Sequence, residues 1–79
     1  MNSQAQLILE DLRTRYKKAT LSKTEMANEL GISASTLDKY RREGIGLPNY
    51  KKLGKTKNAK VIFNIVEVAE FLAQTIKVA

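Results

Sequence analysis

The chain has 79 residues, 43% of them hydrophobic, which is enough for one small domain with a thin core and excludes a long substrate cleft behind a second domain. Without cysteine or histidine it has no disulfide framework, thiolate metal site, usual zinc ligand, or histidine to serve as general base or triad partner. Fourteen Lys and Arg against eight Asp and Glu give +6, a balance that points to a polyanionic partner.

Taken from the start, residues 3–20 read as a leading helix. Ser3 is its expected N-cap, and Ala5, Ile8, Leu9, Leu12, Tyr16 and Ala19 recur at helical steps along one buried stripe. Leu7 points to the far side, as a tolerated surface leucine or as a partner contact. Arg13, Arg15, Lys17 and Lys18 make the second half basic, where cations suit the helix dipole.

Residues 22–44 read as two short helices around a glycine. "SKTE", Ser22 to Glu25, has the capping-box spacing. Met26, Ala27 and Leu30 face inward, Gly31 ends the first helix, Ile32 plugs the turn and Ser33 caps the second. That second helix runs from Ala34 to Glu43 and stops at Gly44. Its expected inner face is Ala34, Leu37 and Tyr40, with Arg41 at the edge and Ser35, Asp38, Lys39 and Arg42 opposite.

Residues 45–64 change character: five lysines, no acid, the only proline and no helical period. Tyr50–Leu53 and Val61–Phe63 are expected strands on either side of the turn-rich "GKTKNA", which makes a β-hairpin with lysines at its tip. Residues 65–77 read as a closing helix, opened by Asn64 with Glu67 as a capping partner. Ile65, Val68, Ala69, Leu72 and Ile76 form one face, widened by Val66, Phe71 and Val78. The expected class is mainly α with a small β-hairpin.

No stretch approaches the roughly 20 apolar residues needed to span a membrane, and the acids in "MNSQAQLILEDLR" argue against a signal peptide. A cytoplasmic location with no membrane partner is expected. A tight two-helix unit whose second helix carries short and basic side chains outward is suited to the major groove of DNA. The competing explanation is an ordinary wet face, with Asp38–Arg42 and Lys39–Glu43 pairing at i,i+4. The lysine hairpin weighs toward DNA, because each lysine at a phosphate releases counterions; Thr56 or Asn58 at its tip are candidates for a base edge. Its own competing explanation is a lysine-guarded sheet edge.

"LSKTEMANELGISASTLDKYRREGI…LPNYKKLGKTKNAKVIFNIVEVAEFL" resembles the excisionase/MerR-like winged helix–turn–helix family of small bacterial and phage DNA-binding proteins, over Leu21 to Leu72. The resemblance implies one winged helix–turn–helix domain over residues 1–79 that binds double-stranded DNA as a transcriptional regulator or a recombination directionality factor. It implies a recognition helix using Ser33, Ser35, Thr36, Lys39 and Arg42 in the major groove. Its wing would use Lys55, Lys57 and Lys60 on the backbone or minor groove, and the charge pattern adds Lys51 and Lys52. The leading helix lies outside the shared core, and a homodimer or cooperative array on DNA enters as an expected assembly. No cofactor, metal or small-molecule ligand is expected. Nor is an enzyme: the acids are scattered, Glu25 and Glu67 are assigned to caps, and the Gly-Lys-Thr at Gly54–Thr56 lacks the earlier glycine of a phosphate loop. The alternative function is a protein-interaction adaptor for DNA packaging or replication, with the helical pair as scaffold.

Overall fold

A helix leaves its first amides without partners, and in this chain a side chain meets that need at every helix start. The computed structural model describes residues 2–44, 46–56 and 59–74. It forms α1 (Ser3–Tyr16), β1 (Thr20–Ser22), α2 (Lys23–Leu30), α3 (Ala34–Glu43), β2 (Tyr50–Leu53), β3 (Lys60–Asn64) and α4 (Ile65–Ala73). Asn2, rather than Ser3, caps α1 by accepting from the Ala5 amide at 2.7 Å. Ser22 and Glu25 form the full capping box of α2: Ser22 Oγ accepts from the Glu25 amide at 3.1 Å, and Glu25 Oε1 accepts from the Ser22 amide at 2.8 Å. Ser33 caps α3. Asn64 caps α4 through the Val66 amide at 2.8 Å. Glu67 does not reciprocate as a capping-box partner; its carboxylate accepts from Asn49 Nδ2 at 3.4 Å instead.

α1 ends at Tyr16 and does not run to residue 20. Lys17 takes a left-handed conformation (φ 57°) and its N–H closes on the Arg13 carbonyl at 2.9 Å. Ala19, expected on the buried stripe, is therefore exposed. The chain released there extends as β1, a third strand that the mainly helical expectation lacks. β1 is short because its task is local: Leu21 sits directly across from Phe63 and is fully buried with it. The Ile65 amide extends the same pairing to the Ala19 carbonyl at 3.0 Å. The result is a small α+β fold, four helices and a three-stranded antiparallel sheet among the described residues.

The sheet order is β1-β3-β2, with β3 in the middle. Because side chains alternate along a strand, its two faces differ. Leu21, Phe63 and Tyr50 stand in one cross-strand row, and Lys52 pairs with Val61 on that same face. Ser22, Ile62 and Lys51 form a row on the other face, with Leu53 opposite Lys60. The inner face carries the core. Leu12, Leu21, Met26, Leu37, Phe63 and Val68, one each from α1, β1, α2, α3, β3 and α4, are fully buried. Fully burying a side chain of this kind contributes about 1.5–3 kcal/mol. β2 gives nothing to that set; all four of its residues are exposed.

Gly31 (φ 71°) turns the chain from α2 into α3, a left-handed conformation that costs a side-chain-bearing residue about 1–2 kcal/mol. α4 packs against α1. Val66 is exposed rather than part of a widened buried stripe. α4 ends at Ala73, with Gln74 as its C-cap; Ile76, Lys77 and Val78, assigned to this helix from sequence, lie outside the described residues. No helix among those described is long and apolar enough to cross a membrane.

Candidate nucleic-acid interface

α3 stands on the inner side of the sheet, fixed by Leu37 in the core, so its opposite side faces solvent. Of the five residues assigned to a recognition helix, Ser35, Lys39 and Arg42 are exposed there. Ser33 and Thr36 are occupied with each other: Ser33 Oγ accepts from the Thr36 amide at 3.1 Å and donates to Thr36 Oγ1 at 2.9 Å. Ser33 is exposed and Thr36 half-buried. The first turn of α3 thus spends the Ser33 and Thr36 hydroxyls on its own cap and leaves Ser35 exposed, with Lys39 and Arg42 one and two turns later.

Neither i,i+4 pair of the wet-face explanation forms. Asp38, expected on the outer side, turns to the junction with α2. Its Oδ2 accepts from Lys23 Nζ at 2.9 Å, and its Oδ1 accepts from Arg41 Nε at 3.2 Å and Nη2 at 2.9 Å. Those two cations hold the Asp38 carboxyl below the ordinary carboxylate range, Lys23 contributing most. Arg41 is itself largely covered, with its side chain 16% exposed, and its guanidinium lies 5.5 Å from the Tyr50 ring centroid.

In the hairpin, Lys51, Lys52, Lys55 and Lys60 are all exposed, and Lys57 and Asn58 lie outside the described residues. Strand alternation divides what sequence treats as one basic cluster. Lys52 projects on the α3 side of the sheet, whereas Lys51 and Lys60 project from the outer face. Gly54 starts the turn at φ 121°, a backbone open to glycine and strained for other residues.

The acids concentrate their effect elsewhere. Arg15 donates to both oxygens of Glu29, at 2.8 and 2.7 Å, and to Asp11 at 2.9 Å. The Tyr16 hydroxyl also donates to Glu29. Lys18 pairs with Glu25 at 2.8 Å. The Glu29 and Glu25 carboxyls are accordingly held below their ordinary range, chiefly by Arg15 and by Lys18 respectively. These contacts neutralise cations on α1, α2 and the buried edge of α3. Lys39, Arg42, Lys51, Lys52, Lys55 and Lys60 carry no ion pair among the described residues. These six give α3 and the hairpin an excess of unpaired positive charge, against the single exposed acid Glu43; Arg13 and Lys17, at the end of α1, are the other exposed cations without an ion pair among the described residues.

Sequence reasoning passed over Lys23 and Tyr50 as elements of this surface, and it put Asp38 on the outer face and Arg41 at the edge without their pairing. Lys23 and Asp38 stand fifteen residues apart, and no local period foretells their meeting. A shallow groove of about 290 Å³ on the outer sheet face, between Thr20, Lys51, Ile62 and Asn64, is open rather than enclosed. No three acids among the described residues cluster as metal ligands do. Compared with known proteins, the chain matches no family model, no curated protein and no solved structure.

Proposed function

We propose that this protein binds double-stranded DNA with sequence preference, as a winged helix–turn–helix domain acting in transcriptional regulation or in directing recombination. The observation that carries the reading is the segregation of charge. Carboxylates occupy Arg15, Lys18, Lys23 and Arg41, while among the described residues six cations on α3 and the neighbouring hairpin stay exposed and unpaired. Ser35, Lys39 and Arg42 are the side chains available to a major groove, Arg42 being able to bridge the two acceptors of a guanine. The hairpin lysines supply phosphate contacts that hold the register. The resemblance to excisionase/MerR-like proteins supports the same arrangement. Binding, rather than catalysis, is the proposed activity.

Selection from a random duplex library, followed by fluorescence titration of the recovered sequence against a scrambled one, tests this. A preference of roughly 10³-fold or more for the recovered duplex is expected, the low end of specific binding. Equal affinity for both duplexes would refute sequence preference. The adaptor reading draws on Leu7, which is 67% exposed on the outer side of α1. A lone exposed leucine is common on protein surfaces, so this support is the weaker of the two.

A further inference from the structure

β2 is an edge strand whose four residues are exposed, and a ribbon held by its ladder alone is marginal in water. Its set against α3 therefore depends on what its side chains touch. Tyr50 touches both sides of that junction. Its ring lies 5.9 Å from the Phe63 ring at a tilt of 54°, and 5.5 Å from the Arg41 guanidinium. Such ring pairs and cation–ring contacts are attractive in these geometries. Arg41 is not a loose cation swinging onto the ring. The Asp38 carboxylate fixes its Nε and Nη2, and Lys23 at the start of α2 fixes Asp38 in turn. A continuous line of contacts runs from α2 through α3 to the hairpin and ends in the core at Phe63.

We infer that Arg41 and Tyr50 are positioning residues: their stack sets the hairpin against α3 so that Lys52 works on the same duplex as Lys39 and Arg42. This rests on the DNA-binding reading. Lys52 is the strand lysine on Tyr50's own face, two residues further toward the tip, about 6–7 Å along the strand. Lys51 and Lys60 leave from the opposite face. Arg41, being covered and paired with Asp38, acts through the stack and not as a base-reading side chain.

The test is a double-mutant cycle read as salt dependence of binding to the duplex recovered by selection. In the unaltered protein, Lys52→Ala should lower the slope of log K against log salt by about 0.9, one phosphate contact. Tyr50→Leu should lower it by at least as much, and adding Lys52→Ala to Tyr50→Leu should change nothing further. Tyr50→Phe keeps the ring and should keep the slope. Arg41→Lys, which keeps the charge and loses the two-point grip of Nε and Nη2 on Asp38 that aims the guanidinium at the ring, should behave as Tyr50→Leu does, and carries the test if Tyr50→Leu does not fold. A merely structural role would lower the melting temperature while leaving the slope and the Lys52 effect in place. That outcome, or additive losses in the cycle, overturns the proposal alone. Failure of the unaltered protein to prefer any duplex overturns the DNA reading, and the proposal with it.

Discussion

Replacing Lys52 and Lys55 together with glutamine removes two of the six unpaired cations that the candidate interface has among the described residues, and touches no core residue. Each phosphate neutralised on B-DNA contributes about 0.9 to the slope of log K against log salt, so the two should lower its magnitude by about 1.8. Over a fourfold rise in salt, from 50 to 200 mM, the variant should then lose about 12-fold less affinity than the unaltered protein. Fluorescence anisotropy with a labelled duplex across five or six salt concentrations measures both slopes. The control is Arg15→Gln and Lys18→Gln, two cations already held by Glu29 and Glu25, whose removal should leave the slope unchanged. A slope that moves by less than about one in the hairpin variant refutes the assignment of these lysines to phosphates. An equal fall in the control would show that net charge, not placement, governs binding.

Stability offers further tests. Leu37→Ala should cost about 2–5 kcal/mol, because a fully buried leucine in a core shared by six elements leaves a cavity when truncated; urea denaturation checks this. For a domain whose whole stability is about 4–12 kcal/mol, that loss is large enough to lower the melting temperature steeply. Gly31→Ala should cost about 1–2 kcal/mol by the same assay, from the left-handed backbone alone, since nothing lies within 4 Å of the added carbon. Acid should destabilise the fold in a defined direction. Glu25, Glu29 and Asp38 have depressed folded-state pKa values, so their contribution is complete above the ordinary carboxylate range and disappears as pH falls through the depressed values. Glu29→Gln should flatten part of that acid limb in melting curves recorded from neutral pH downward; an unchanged limb would remove Glu29 from the account.

Local chemistry in the sequence determined much of this protein. The capping box at Ser22, the glycine stops at Gly31 and Gly44, the cap at Ser33, the hairpin strands and the charge-free turn from α2 to α3 all depend on groups within a few residues of one another, and all are present. The lysine-rich composition of the hairpin was equally visible. The tertiary structure decided matters that depend on distant pairs. β1 exists because Leu21 finds Phe63 across a gap in sequence that no periodicity spans, and α1 stops at Tyr16 to let it. Which cations stay free was decided in the same way. Asp38 chose Lys23 and Arg41 over Arg42, and Glu29 took Arg15 from the neighbouring helix, because packing brought those groups within hydrogen-bond reach. Strand alternation then divided the hairpin lysines between two faces, giving Lys52 alone of the strand lysines to the side on which α3 stands.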